Sequence, residues 1–207
     1  MFRGNGKNIT FVPMAYTEQE LREQAAEAAA VLKAGGVILY PTDTVWGLGC
    51  DATDPKAVER IYELKRSQGK EGMIVLVGSA AEAARYTNHV PDVAWDIMEM
   101  ADKPLTLILP GGCGVAESLV APDGTLGVRV PHHRFCEALL RVFRKPLVST
   151  SANFSGQPAP ARFAQISPEV AAMADFVVDG RFEEGATGKP SSMIALGRGG
   201  EVKVIRE

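Results

Sequence analysis

The sequence predicts one α/β domain organised around a single mixed sheet. Apolar stretches of strand length alternate with amphipathic helical segments along most of the 207 residues, which is typical of α/β proteins with buried strands. Short apolar stretches separated by glycines follow near the end of the chain and favour an antiparallel portion of the sheet. We expect residues 1–16 to form a lead-in and residues 17–207 to form the domain.

The helix boundaries are the clearest local signals. Thr17 and Glu20 form a capping box, and the Gly35-Gly36 pair supplies a stop. Asp54-Pro55 caps a second helix that should end between Lys65 and Gly69. A third helix is predicted at residues 134–143. The predicted strands lie at residues 37–40, 73–77, 105–109, 127–130, 147–150, 176–178, 193–196 and 202–205.

The overall composition excludes several classes of protein. With a net charge of -3 and a pI near 5.7, the chain lacks the basic excess of proteins that coat nucleic acids. Its three cysteines are odd in number and widely spaced, which suggests neither a disulfide framework nor a zinc site. The first ten residues lack a signal-peptide core, and no apolar stretch reaches the roughly 18 residues of a membrane span. We expect a soluble cytoplasmic protein.

The stretch from Tyr40 to Gly49 carries the most information. Pro41 cannot donate to a sheet ladder, so the preceding strand should end at Tyr40. Hydroxyls, a carboxylate and glycines then follow the strand: Thr42, Asp43, Thr44, Gly47 and Gly49. Such a loop is typical of a binding site in which the backbone approaches a ligand closely. A turn held by its own Asp and Thr side chains is an equally good interpretation of this segment alone.

Two other loops have ligand-binding potential. Residues 149–156 bring together hydroxyls and the Asn153 amide after a strand, although such clusters are also ordinary loop composition. Lys65, Arg66 and Lys70 place three cations at a helix C-terminus, where cations are favoured by the helix dipole in any case.

Arg129 lies inside an apolar strand. A charge in such a place must be paired or must bind an anion. No acidic residue of the sequence is an obvious partner, which favours a ligand anion over an internal ion pair.

Other catalytic patterns are missing from the sequence. Gly188-Lys189 is followed by Pro190, so the P-loop pattern is not met. His132 and His133 have no third metal ligand at a recognisable spacing. Cys50 is best interpreted as a small apolar filler, and the Gly-x-Ser-x-Gly pattern is absent. Covalent catalysis is therefore disfavoured.

Several long motifs resemble the YrdC family. Residues 40–49 are similar to its opening signature, with Trp46 where Tyr is usual, and residues 147–156 resemble its Ser/Thr-Ser-Ala-Asn-x-Ser-Gly signature. Residues 104–107, 127–131, 190–192 and 204–206 match in the same order, so the resemblance extends from Thr17 to Arg206. In the family, Lys-x-Arg is followed four residues later by Lys. Here Arg66 directly follows Lys65, one residue earlier than in the family pattern. The spacing of four residues from the arginine to the next lysine, Lys70, is kept.

This resemblance implies a fold and a reaction. The fold is a twisted sheet of parallel and antiparallel strands, flanked by helices, with an open concave cavity. The reaction joins L-threonine, bicarbonate and ATP into threonylcarbamoyl-AMP and pyrophosphate, with Mg²⁺ accompanying the ATP. The product serves tRNA modification through proteins that transfer the threonylcarbamoyl group, and tRNA itself is a candidate partner.

The resemblance also implies which residues act. The implied catalytic residues are Lys65, Arg66 and Lys70. These three would also bind ATP, together with Thr125, Arg129, Ser151, Asn153 and Arg206. Threonine would be bound by Thr42, Ser149 and Ser191, and no side chain is assigned to a metal. The chemistry agrees with the residues, since a phosphoryl-type transition state needs positioning and positive charge more than a protein nucleophile.

Two alternatives from other classes remain open. One is an RNA-binding module of the same fold, against which the acidic pI counts. The other is a module that forms carbamoyl-adenylate from carbamoyl phosphate, like the YrdC-type domain of hydrogenase-maturation proteins. The zinc-finger-like cysteines that normally accompany that domain are missing from this sequence.

Overall fold

The structure is a computed structural model that describes residues 16–66 and 73–207. The strands are β1 (Ile38–Tyr40), β2 (Gly47–Gly49), β3 (Ile74–Leu76), β4 (Leu105–Pro110), β5 (Thr125–Arg129), β6 (Leu147–Ser151), β7 (Phe176–Val177), β8 (Ser192–Leu196) and β9 (Val202–Arg206). The helices are α1 (Glu18–Lys33), α2 (Pro55–Leu64), α3 (Ala80–Ala83), α4 (Asp92–Met100), α5 (Arg134–Phe143) and α6 (Pro168–Ala171). Short 3-10 turns lie at Glu117–Leu119, Phe163–Gln165 and Gly180–Glu183.

The described strands form one nine-stranded sheet in the order β7-β1-β2-β6-β3-β5-β4-β8-β9. β1 pairs in parallel with β7, β3 with β5, and β4 with β8. The other neighbours are antiparallel. The mixed sheet is therefore confirmed. The antiparallel pairs are spread across it, however, and of the three C-terminal strands only β8 and β9 pair with each other in that way.

The start of α1 and the end of β1 lie where the sequence predicts them. Thr17 accepts a hydrogen bond from the Glu20 amide and Glu20 caps the Thr17 amide in return. β1 ends at Tyr40, directly before Pro41. The buried face of α1 is made largely of alanines, which allow close packing, and the helix packs against α5.

The sequence did not predict strand β2 or helices α3, α4 and α6. The Gly47–Gly49 segment, predicted as loop, is strand β2 and pairs with both β1 and β6. Helix α4 has Pro91 at its N-cap without a side-chain cap bond, and its fully buried residues are only Ala94 and Met98. A helix with so little buried surface and no capping residue leaves a weak periodic signal.

An ion pair anchors the turn before α2. Lys145 Nζ lies 2.6 Å from Asp51 Oδ2, and Asp51 Oδ1 accepts hydrogen bonds from the Thr53 amide and hydroxyl. The Asp51 side chain is only 5% exposed, so its charge depends on these partners.

The proposed lead-in lies mostly outside the described residues. Tyr16 is described and buried. The centroid of its ring lies 4.4 Å from the centroid of the Phe182 ring. The boundary between lead-in and domain stays a prediction.

We expect Gly49→Ala to destabilise the sheet. An added Cβ would lie 2.6 Å from the Val148 carbonyl oxygen and 2.7 Å from Tyr40 Cε1, and overpacking of this kind costs about 1–3 kcal/mol. At Gly47 the nearest atom would be the Thr150 oxygen at 3.2 Å, so Gly47→Ala should cost clearly less. Urea unfolding of both variants measures the difference, and equal losses would contradict the packing argument.

Candidate ligand-binding site

Residues of six strands and the β1–β2 loop enclose a cavity of about 220 Å³. Six of the residues implied by the resemblance meet there: Thr42, Arg129, Ser149, Ser151, Ser191 and Arg206. Their positions in the sequence extend from the loop after the first strand, at Thr42, to the end of the last strand, at Arg206. The cavity therefore brings hydroxyl groups and two guanidinium groups to one place.

The β1–β2 loop is held by a chain of hydroxyl groups. Thr42 Oγ1 donates to the Val45 carbonyl at 2.8 Å and accepts from the Thr44 amide at 3.0 Å. It also lies 2.8 Å from Thr44 Oγ1. Since the only Thr42 hydroxyl proton goes to Val45, Thr44 must be the donor in that pair. The loop is thus a self-bonded turn that also forms a wall of the cavity.

Arg129 ends β5 and reaches the same loop. Its Nη2 lies 3.4 Å from Asp43 Oδ1, and both side chains are 3% exposed. Its Nη1 donates to Thr44 Oγ1 at 3.2 Å. The inference from the sequence that Arg129 lacks an acidic partner is wrong, because the partner is 86 positions away in the chain and adjacent only in the fold.

The Arg129–Asp43 pair is incompletely hydrogen-bonded. Asp43 Oδ2 accepts from the His132 amide at 3.3 Å. Arg129 Nε and Asp43 Oδ1 are buried without a hydrogen-bond partner among the described residues. An arginine that lines a cavity with a donor to spare can still receive an anion.

Three serines also line the cavity. Ser149 and Ser151 end β6, where Ser151 pairs with Gly47 of β2. Ser191 precedes β8, and its hydroxyl lies 2.8 Å from that of Thr106. Arg206, at the end of β9, donates from Nε to the Ser191 carbonyl at 2.9 Å, so the last strand brings a cation back to the cavity.

Other implied residues lie away from the described cavity wall. Thr125 starts β5, at the opposite end of the strand from Arg129, and its hydroxyl donates to Asp123. The side-chain amide of Asn153 donates from Nδ2 to the backbone carbonyls of Phe154 and Gln157. The Arg66 guanidinium lies 4.7 Å from the centroid of the Phe154 ring. Lys70 lies outside the described residues.

Lys65 is buried, with 2% of its surface exposed. Its Nζ donates to the carbonyls of Ser151 and Asn153 at 2.7 and 2.8 Å. The ammonium thus lies against the backbone behind the cavity rather than among the cavity-lining side chains.

Trp46 is a cavity-lining residue that the sequence marked only as a departure from the family pattern. Its Nε1 donates to Glu183 Oε2 at 2.9 Å, which also accepts from the Phe163 amide at 2.7 Å. The Trp46 and Phe163 rings pack with centroids 5.0 Å apart. A large aromatic residue inside a binding motif was the available signal for this role.

The thiols near the cavity are poor nucleophiles. Cys50 and Cys136 are fully buried, and this burial raises the pKa of both thiols well above the ordinary value. A protonated, enclosed thiol does not react readily.

Two further features concern the helices and the potential metal ligands of the described residues. Across residues 16–66 and 73–207, every helix is too short or too polar to cross a bilayer. Within the same ranges, His, Cys, Asp and Glu side chains form no group of three that could hold a metal ion.

The fold and the cavity define an α/β protein with a polar, arginine-containing cavity at the strand ends. A model of the Sua5/YciO/YrdC family, described as "Telomere recombination", matches residues 30–207. The chain belongs to this family.

The sequences of several relatives align with most of this chain. It is 38% identical over 170 residues to a threonylcarbamoyl-AMP synthase of Xanthomonas euvesicatoria pv. vesicatoria, covering 80% of this chain and 89% of the relative. A protein of the same name from Pseudoalteromonas translucida is 34% identical over 164 residues, covering 77% and 88% of the two chains.

Solved structures agree with the fold. Sua5 from P. abyssi, complexed with L-threonine, superposes with a TM-score of 0.77 at 27% identity over 84% of this chain. The match spans about half of that longer chain, 51%. E. coli YciO superposes with a TM-score of 0.75 at 26% identity and covers 90% of this chain and 89% of its own.

We expect His133 to make stability depend on pH. Burial lowers its pKa below the ordinary value. The Asp43 carboxylate and the backbones of Glu184 and Phe182 oppose that shift, whereas Arg129 adds to it. The unfolded state then binds the proton more readily, so stability is complete above about pH 6.5 and falls as the pH drops towards the folded-state pKa.

The test is urea unfolding at about pH 7.5 and about pH 5.5. The unfolding free energy of the wild type should fall over this range more than that of His133→Gln, which cannot titrate. Parallel losses in the two proteins would rule out His133 as the source.

Proposed function

We propose that this protein is a threonylcarbamoyl-AMP synthase, which forms its product and pyrophosphate from L-threonine, bicarbonate and ATP. One observation carries the proposal: serine hydroxyls and two arginines converge in one cavity of a chain whose relatives bear that name. The family neighbour complexed with L-threonine supports threonine as a substrate.

The reaction needs positioning more than covalent help. The threonine amine adds to the carbon of bicarbonate with loss of water, and a carboxylate oxygen of the resulting carbamate attacks the α-phosphorus of ATP. The bond to the β-phosphate bridging oxygen breaks, and pyrophosphate leaves. Such a displacement is accelerated by holding the reactants in line and by neutralising the phosphate charge.

The cavity supplies both requirements. We assign Ser149 and Ser191 to the threonine, together with the loop of Thr42. The Thr42 hydroxyl already makes its full set of bonds within the loop, so this residue acts mainly by shaping the wall. We assign Arg129, Ser151 and Arg206 to the nucleotide, where guanidinium groups pair well with phosphate oxygens.

The remaining nucleotide assignments stay proposals from the family resemblance. They are Arg66, Lys70 and Thr125, whereas the Asn153 side chain is bonded to two loop carbonyls and we assign it to the structure of the loop. The cavity of about 220 Å³ is smaller than the roughly 300–1,000 Å³ that hold drug-sized ligands. The nucleotide would therefore occupy it only in part and extend beyond it.

Mg²⁺ would enter with the ATP. The described residues form no metal-binding cluster of their own, and Mg²⁺ is commonly held by substrate phosphates with few protein ligands. When bound, the ion would neutralise phosphate charge. Nearby hydroxyls, such as that of Ser151, are suitable oxygen ligands.

We also propose a place for the product. Threonylcarbamoyl-AMP would pass to proteins that transfer its acyl group to tRNA, in the cytoplasm, and tRNA itself remains a candidate contact. The carbamoyl-adenylate alternative is supported by fold alone, because the match to HypF is 20% identical. The two enzymes differ in substrate, because the alternative enzyme would use carbamoyl phosphate whereas the synthase would use L-threonine and bicarbonate.

The proposal is tested by measuring pyrophosphate release from Mg²⁺–ATP with each substrate omitted in turn. Release should require L-threonine and bicarbonate together, because their adduct is the nucleophile. Release without threonine would refute the synthase. Turnover with carbamoyl phosphate would favour the alternative enzyme, and salt-dependent tRNA binding without turnover would favour the RNA-binding module.

We expect Ser151→Ala and Asn153→Ala to fail in different ways. Ser151 lines the cavity, so its loss should lower kcat/KM for ATP by at least about tenfold, or roughly 1.4 kcal/mol, with little change in melting temperature. The Asn153 amide bonds two loop carbonyls, so its loss should lower stability by about 1 kcal/mol. Thermal melts and steady-state kinetics distinguish the two, and matching profiles would contradict the separation.

A further inference from the structure

Lys65 joins the end of helix α2 to the polar turn after β6. It is the C-cap residue of α2. Its Nζ donates to the Ser151 and Asn153 carbonyls at 2.7 and 2.8 Å, and its own carbonyl accepts from the Ser155 amide at 3.2 Å. One residue therefore makes three hydrogen bonds to a turn of five residues.

The opposite side of the same turn is also fixed. The Ala152 amide donates to the Trp46 carbonyl at 2.9 Å, and Trp46 lines the cavity. The turn is thus held between the end of α2 and the β1–β2 loop. The Ser151 side chain lies on the cavity wall, at the point where both supports meet.

We propose that Lys65 is a positioning residue for the nucleotide site, which acts by holding Ser151 in place rather than by contacting the phosphates. This inference rests on the proposed function and deepens it. An ammonium buried to 2% exposure and bonded to two carbonyls is costly to move, because those carbonyls would lose a charge-assisted donor inside the protein. The cations left for direct phosphate contact are then Arg129 and Arg206, with Arg66 and Lys70 proposed by resemblance.

A double-mutant cycle between Lys65→Met and Ser151→Ala tests the proposal. The readout is the affinity for α,β-methylene-ATP with Mg²⁺, measured by calorimetry, since this analogue cannot be cleaved at the reacting bond. Each single variant should weaken binding about tenfold or more. Because both act through the same hydroxyl, the double variant should bind about as weakly as the weaker single variant.

Two results would overturn the proposal. Losses that multiply in the double variant would mean that Lys65 contacts the nucleotide independently of Ser151. Wild-type affinity in a folded Lys65→Met variant would mean that Lys65 only stabilises the fold. Lys145→Met is the matched control, because it removes another well-bonded lysine, paired with Asp51, away from the cavity. It should lower the melting temperature and leave the affinity unchanged.

A measurement on the wild type covers the case in which Lys65→Met does not fold. With lysine side chains labelled with ¹⁵N, the Lys65 ammonium should give a slowly exchanging NMR signal without ligand, identified by its absence in Lys65→Gln. The signal should keep its nitrogen shift when the nucleotide analogue is added. A signal that appears only with nucleotide would overturn the proposal. Failure of the wild type to bind the analogue would instead count against the proposed function.

Discussion

The buried contact between Arg129 and the β1–β2 loop is the constraint on which the cavity depends. In the sheet order, β2, β6 and β3 separate β1 from β5, and four steps of about 4.8 Å would span roughly 19 Å in a flat sheet. Arg129 nevertheless meets Asp43 and Thr44. The sheet must therefore be curved and the loop must lean across it, and the concave space between them is the site. Removing either charge would leave the other buried and unpaired, which is far more costly than the loss of an exposed ion pair.

The other walls follow from contacts of the same kind. Lys65 holds the turn after β6 from behind, Thr106 meets Ser191, and Arg206 returns on the last strand to the Ser191 carbonyl. Each contact joins residues that are distant in the chain. The polar side chains that face the cavity are thus held by groups outside it, which include backbone carbonyls, the Thr106 hydroxyl and buried charges.

How far the sequence predicted this molecule depends on whether a signal was local. Signals between neighbouring residues predicted the α1 capping box, the end of β1 before Pro41 and the buried strands. These features lie where expected. Helix α4 was missed because its buried face is small. β2 was missed because two of its three residues are glycines, whose small size is needed against Val148 and Tyr40 but which usually indicate a loop. Of the residues that the family resemblance implies, Ser149, Ser151, Ser191 and Arg206 line the same cavity. Asp43 as the partner of Arg129 and the carbonyl partners of Lys65 arise only from the fold.

A site of this composition has its catalytic power in geometry. The thiols of Cys50 and Cys136 are buried and held protonated, so neither shares the chemistry, and the reacting atoms must be brought together by weak contacts from rigid walls. A displacement of about 1 Å in such a site can cost a factor of 100 in rate. This explains why strong interactions lie behind the cavity surface. The Glu183 carboxylate, for example, joins Trp46 to Phe163 and so ties the wall of the cavity to the segment that follows the polar turn. Different residues therefore support the cavity walls and present hydroxyl groups to the cavity.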